Sequence, residues 1–319
     1  MESFLSVFIS TVFAAEGILS PLPDAVLEDF SMDQNTSMET TQKPKQSFGD
    51  IISPLPDAVP AVLGIATEIT PTPSPLPTAS PKKTTQPLET PKPQLRKAKK
   101  ANVTIALLGD SMMDTMGPDA PALQSLLKKS FPGTTFIIKN YGVGGTNIDY
   151  AITRITNGYS YLGNGIPALS SLQPDIVVVE SCGYNPFSFD EGAIDKHWLS
   201  LSKAVDTLKS SIPGVRIVIG STIAPNWDVF GDGAPGISFD PAAKQRQVKN
   251  IKKYLENAVK FAHSQNLPLA DAYHSSLDSS GNGKLGYINP GDHIHYSDAG
   301  RALFAEKIAG AIINNRLLE

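Results

Sequence analysis

Beyond residue 100 the chain alternates between two hydrophobic periods. Residues 102–109 (NVTIALLG) are a short, β-branched apolar run that stops at Gly109-Asp110-Ser111, as a strand buried on both faces does. Runs of the same kind lie at 134–139 (TTFIIK), 175–180 (DIVVVE), 215–220 (VRIVIG) and 267–270 (LPLA). Between them the apolar spacing lengthens to the helical 3.6. It is clearest over 241–266, where Val248, Ile251, Leu255, Ala258, Val259 and Ala262 share one face, and Pro241 suits the first turn. Lys244, Arg246, Lys249, Lys252, Lys253 and Lys260 fall mostly on the opposite, solvated face. A last helix is predicted near 297–316, with Leu303, Phe304, Ile308 and Ile312 inward. Five strands alternating with helices predict an α/β domain with a mostly parallel sheet and a helical layer on each face. Ligands of such sheets bind beyond the carboxyl ends of the strands, so useful chemistry should follow the strands directly.

The first hundred residues have no such pattern. They hold 14 of the chain's 26 prolines, and no Phe, Trp or Tyr occurs between Gly49 and Ser130. A segment so poor in large apolar groups cannot offset the entropy of ordering, which predicts a disordered linker over 21–100 and one well-filled α/β domain over 101–319. Residues 4–15 (FLSVFISTVFAA), within a segment 1–20, are too short to span a bilayer. They suit the apolar stretch of a signal peptide or a hydrophobic anchor, with Val12-Phe13-Ala14 as a cleavage pattern but without a basic start. ILSPLPDAV at 18–26 recurs as IISPLPDAV at 51–59, a duplication too short for a solenoid. The Pro/Thr-rich stretch 70–93 favours an extended spacer and runs into the basic Lys92, Arg96, Lys97, Lys99 and Lys100. Together these features predict an extracytoplasmic protein, secreted or held at a membrane or cell wall through its N-terminal segment.

Charge and cysteine content narrow the choices. With 27 Lys+Arg against 31 Asp+Glu, the chain lacks the basic field of a nucleic-acid binder. The single cysteine, Cys182, excludes an internal disulfide and a Cys-only zinc site.

The chemistry-bearing residues sit at strand ends. Ser111 follows the first strand; a serine hydroxyl becomes a nucleophile when a base takes its proton and a third group orients that base. Gly291-Asp292-His293-Ile294-His295 supplies both, since a three-residue spacing lets the Asp292 carboxylate meet the His295 imidazole within one turn. Acyl transfer also needs donors for the developing oxyanion. The second strand is followed by Asn140-Tyr141-Gly142-Val143-Gly144-Gly145-Thr146, whose glycines admit close backbone approach, and the third by Gly183-Tyr184-Asn185. Each piece is weak alone; four in this order are specific.

In these four blocks the chain resembles the SGNH hydrolases, also called the GDSL esterase/lipase family, over 101–319. Ser111 matches the first block, Gly145 the second, Asn185 the third, and Asp292 with His295 the fifth. The resemblance implies a three-layer α/β/α, flavodoxin-like fold and a serine esterase with Ser111, His295 and Asp292 as the triad. It also implies an oxyanion hole of the Ser111 N–H, the Gly145 N–H and the Asn185 side chain, with no cofactor or metal. The third block departs from the pattern, because Asn185 is followed by Pro186 where the family usually has aspartate. Met112, Tyr184, Phe187 and Trp227 flank these segments and are the substrate-binding candidates. Export and a stalk favour O-acyl, in particular acetyl, groups on surface glycan or wall polymer as substrates. A lipase, lysophospholipase or thioesterase of the same family is the alternative, and a non-catalytic carbohydrate-binding module is the alternative of another class. Three weaker readings are an Asp292/His293/His295 metal site, Cys182 as nucleophile, and a dinucleotide loop at 142–145, which lacks the G-x-G-x-x-G fingerprint.

Overall fold

A computed structural model describes residues 95–319, apart from Glu191. The expectations for the apolar segment, the duplicated nonapeptide and the spacer up to residue 94 lie outside the described residues. No helix among the described residues is long and apolar enough to cross a membrane.

Five strands build one parallel sheet: β1 (Asn102–Gly109), β2 (Thr135–Gly142), β5 (Ile176–Glu180), β6 (Arg216–Ser221) and β7 (Leu269–Asp271), in spatial order β2-β1-β5-β6-β7. The expected mostly parallel, five-stranded α/β/α architecture is what forms. Strand alternation sorts side chains into two cores. Ile105 and Leu107 of β1 pack on one face with Leu123, Leu127, Phe304 and Ile308, whereas Ala106 and Leu108 pack on the other with Ile152, Ile155, Leu201 and Phe261. The first face is covered by α2 (Pro121–Ser130) and α7 (Asp298–Asn314), the second by α3 (Ile148–Thr156) and α4 (Ala193–Ser211). Helix α5 (Pro241–Ser264) contributes to both cores. It starts where the sequence predicts: the Asp240 side chain accepts the Ala243 N–H at 2.7 Å and Pro241 occupies the first turn.

Two differences from the sequence pattern shape the site. Strand β2 runs three residues further than its apolar stretch, to Gly142, because Asn140, Tyr141 and Gly142 stay in register with Leu107, Leu108 and Gly109 of β1. Gly142 is required there, since a Cβ would sit 2.3 Å from the Asp114 nitrogen. After α3 comes a hairpin with no apolar alternation to announce it, β3 (Tyr159–Tyr161) paired antiparallel with β4 (Asn164–Ile166). Two cations of the basic run before β1 are tied down: Arg96 reaches Glu319 at 2.7 Å and Lys100 reaches Asp175 at 2.5 Å.

The strand order reverses direction at β1, whose neighbours are β2 and β5. Their carboxyl ends open the crevice in which doubly wound folds bind ligands, and three of the sequence-picked segments meet there.

Candidate active site

Ser111 is the first residue of a single-turn helix, α1 (Ser111–Asp114), that begins as β1 ends. Asp110 caps it, accepting the Met112 N–H on Oδ1 at 2.8 Å. Its other oxygen, Oδ2, accepts from Asn185 Nδ2 at 2.9 Å, so the residue before the serine orients the amide of the third block. Asn185 is delivered by a tight turn after β5 in which Cys182 takes a left-handed φ of 50° and the Asn185 N–H bonds back to the Cys182 carbonyl at 3.1 Å. With one N–H given to Asp110, the Asn185 amide retains a second donor. Ser111 Oγ is buried and makes no hydrogen bond among the described residues.

The Asp292–His295 turn closes as the spacing requires. Asp292 Oδ1 accepts the N–H groups of Ile294 and His295 at 2.9 and 3.0 Å, and Oδ2 accepts a hydrogen bond from His295 Nδ1 at 2.9 Å. Burial works to raise the Asp292 carboxyl, but the hydrogen bond and charge of His295 and these backbone donors hold it below its ordinary value. An ionised Asp292 only accepts, which fixes the proton on Nδ1 and leaves Nε2 as the basic nitrogen. Burial raises the carboxyls of both Asp110 and Asp114, while the charge of His295 acts on each in the opposite sense. The imidazole therefore lies within electrostatic reach of the residues on both sides of Ser111.

Gly145 has a φ of 72° and its N–H donates to no group among the described residues, whereas the adjacent Gly144 N–H donates to the Tyr161 hydroxyl at 3.1 Å. The loop is anchored beyond that point by Arg154, almost fully buried, whose Nη2 donates to the Gly109 carbonyl at 2.7 Å and Nη1 to Thr146 Oγ1 at 3.2 Å. At its near end Asn140 donates to the Met113 and Gly117 carbonyls at 2.8 and 2.9 Å. A depression of about 450 Å³ lies against Gly145, lined also by Thr146, Asn147, Asp149, Tyr150 and Thr153.

The substrate-binding candidates divide. Met112 is fully buried in the core, and Tyr184 is buried with its hydroxyl donating to the Ile223 carbonyl at 3.1 Å. Phe187 and Trp227 are half-buried under cations, Lys196 at 3.9 Å and Lys252 at 4.3 Å from the ring centres. His293 is committed elsewhere, its Nδ1 bonding the Asp232 carbonyl at 2.6 Å, so the two histidines of the turn serve different partners.

Behind the site lie carboxyls that the sequence reading passed over. Glu180, at the end of β5, accepts the Asp110 N–H at 3.3 Å and the Ser181 hydroxyl at 2.7 Å. Burial, and then the proximity of Asp110, push it well above the usual carboxylate range. Asp110, Glu180 and Cys182 bring ligand-type atoms together. All three are wholly buried and shifted toward their neutral forms, which suits shared protons better than a cation. A carboxylate ending an otherwise apolar strand was the available signal for Glu180.

Several solved structures are similar to this chain at low identity. A lipase/acylhydrolase from Enterococcus faecalis is 16% identical, with 67% of this chain and 96% of that one covered and a TM-score of 0.46. A GDSL-like lipase from Bacteroides thetaiotaomicron is 11% identical, with 66% and 88% covered and a TM-score of 0.47. A mutant of Axe2, an acetyl-xylooligosaccharide esterase from a Geobacillus, is 13% identical, with 68% and 95% covered and a TM-score of 0.46. No curated protein matches the sequence. The profile described as the GDSL-like Lipase/Acylhydrolase family matches residues 107–303, a span that takes in Ser111, the glycine loop, Asn185 and the Asp292–His295 turn. By that match over more than half of its length, the chain belongs to the GDSL-like lipase/acylhydrolase family and is a hydrolase of ester bonds.

Proposed function

We propose that Ser111 is the nucleophile of an acyl-enzyme mechanism, with His295 as general base and Asp292 as its orienting carboxylate. The observation that carries this reading is His295 Nδ1 held at 2.9 Å by Asp292, which keeps the proton on Nδ1 and makes Nε2 the basic nitrogen. On ester binding the Ser111 hydroxyl meets Nε2 and gives up its proton as Oγ attacks the carbonyl carbon. The electron pair moves onto the carbonyl oxygen, which the N–H groups of Ser111 and Gly145 and the second Asn185 N–H receive. Collapse expels the alkoxide, which takes the proton from His295. Water then repeats the sequence on the acyl-enzyme, releasing the acid and restoring Ser111.

The substrates proposed are O-acyl groups, acetyl foremost, on extracellular glycan or wall polymer. Two features support this. An apolar segment and a Pro/Thr-rich spacer precede the domain in the sequence, consistent with work outside the cytoplasm. The depression beside Gly145 offers an amide, hydroxyls and a carboxylate around the exposed ring of Tyr150, chemistry that suits a sugar rather than an alkyl chain. Ser111→Ala should abolish hydrolysis of p-nitrophenyl acetate and labelling by a fluorophosphonate while the unfolding transition stays in place; undiminished turnover would refute the assignment. A panel of acetylated glycans against p-nitrophenyl esters of increasing chain length tests the substrate class, and faster turnover of the long-chain esters would overturn it.

A further inference from the structure

We infer that Tyr161 is a positioning residue for the oxyanion loop, coupling that loop through Asp114 to the helix that carries Ser111. The inference rests on the role proposed above for the Gly145 N–H. Tyr161 Oη accepts the Gly144 N–H at 3.1 Å and donates to Asp114 Oδ2 at 2.9 Å. A phenol has a single proton. Committing it to Asp114 leaves the oxygen as an acceptor for Gly144, so the two bonds support each other. The three groups also sit against the nucleophile: a Cβ built on Gly144 would lie 3.3 Å from Tyr161 Oη and 3.8 Å from Ser111 Cβ. Asp114 follows Ser111 by three residues on α1, one helical turn along the same face.

The consequence concerns two consecutive amides. Gly144 and Gly145 each present an N–H in the same loop, and only the first is engaged among the described residues. Capping the Gly144 N–H fixes the peptide plane before Gly144, and with it the orientation from which the next peptide presents the Gly145 N–H. Asn140 holds the entry of the loop and Arg154 its exit, and the Thr146 hydroxyl that Arg154 holds donates to the Val143 carbonyl at 2.7 Å, so the peptide before Gly144 is gripped at its carbonyl by Thr146 and at its N–H by Tyr161. Tyr161 reaches it from a short, stiff element. It is the last residue of β3 before a two-residue turn, Leu162 and Gly163, both at left-handed φ (51° and 77°), the geometry that matches strand twist in hairpins. Removing the hydroxyl releases the N–H side of that peptide, with its carbonyl still held by Thr146, while leaving every proposed reacting group in place. The effect should fall on the transition state, where the donor must already be aimed.

The test is steady-state hydrolysis of p-nitrophenyl acetate by the full chain. Tyr161→Phe should lower kcat about 10- to 100-fold with KM within about threefold of wild type, less than the ~10²–10³ expected for deleting a donor outright. Asp114→Ala should lower kcat in the same way. Asp114→Asn, whose amide oxygen can still accept the phenol proton, should recover it to within about fivefold. The Tyr161→Phe/Asp114→Ala double variant should be no slower than Tyr161→Phe alone, since both break one relay. An unchanged kcat in Tyr161→Phe, a rise in KM at constant kcat, or multiplicative losses in the double variant would each overturn the inference. Should Tyr161→Phe fold poorly, the Asp114→Ala and Asp114→Asn pair carries the same prediction without touching the hairpin. Activity that survives Ser111→Ala refutes the catalytic assignment itself. Serine-dependent activity with unimpaired Tyr161→Phe and Asp114→Ala refutes this inference alone.

Discussion

Asp110 Oδ2 and Asn185 Nδ2 lie 2.9 Å apart, although their residues belong to different strand ends. One carboxylate thus caps the helix of Ser111 and orients the amide proposed to receive the oxyanion. Asp110→Ala should weaken both. The lost cap costs about 1 kcal/mol, and the buried Asn185 amide left short of a partner adds about 1–3 kcal/mol, read as a lower urea midpoint at unchanged m. Turnover should fall at least about tenfold in the fraction that folds, because the amide is no longer aimed.

Asp292→Asn tests the tautomer assignment. An asparagine can present its NH₂ to His295 and favour a proton on Nε2, the nitrogen proposed as base. A loss in kcat of up to about 10⁴ is expected, with KM little altered. A loss under about threefold would indicate that His295 keeps its tautomer without Asp292.

Glu180 ties stability to pH. Its carboxyl is raised by burial and by Asp110, so the native state holds a proton that the unfolded chain releases from near its ordinary value of 4.5 upward. That contribution is complete below this value and is lost as the pH rises toward the native value. Glu180→Gln resembles the neutral form and should flatten the decline. The measurement is the urea unfolding free energy of both proteins from pH 5 to pH 9. Parallel curves would mean that Glu180 is ionised in the native state.

His197 works in the other direction. It is buried in α4, with Nε2 at 2.8 Å from the Ser181 carbonyl and Nδ1 at 3.0 Å from the Asn257 amide, and burial lowers it to about 4 from 6.5. The unfolded chain therefore binds a proton that the native state refuses. Stability is complete above 6.5 and is lost as the pH falls toward 4, by up to about 3 kcal/mol. His197→Gln should flatten the curve over this range, and an unchanged slope between pH 4 and pH 6.5 would exclude the histidine as its source.

Local periodicity was enough to reveal the sheet strands and the helices at 241–264 and 298–314, because a strand buried on both faces must be an unbroken apolar run and a buried helix face must repeat its apolar residues every three or four positions. The Asp292–His295 pair was equally legible: a three-residue spacing closes within one turn, and the 2.9 Å contact is braced by nearby Asn289, whose amide donates to the same Asp292 oxygen at 3.2 Å. Ser111 could be read from its place after the first strand. The hairpin at 159–166 could not, since its six paired residues bury too little to impose an alternation.

The sequence also could not show how these pieces meet. Asp110 and Asn185 are 75 residues apart, Tyr161 and Asp114 47, Arg154 and the Gly109 carbonyl 45. No periodic signal links such partners, because their pairing depends on strand order, which puts the ends of β2, β1 and β5 side by side. Burial was decided at the same level. Met112 and Tyr184, beside Ser111 and Asn185 in sequence, turn into the core, while Arg154, on α3, is enclosed to brace the glycine loop. Short-range chemistry is written in residue types and spacing; which buried group aims which donor is written only in the packing of one strand end against the next.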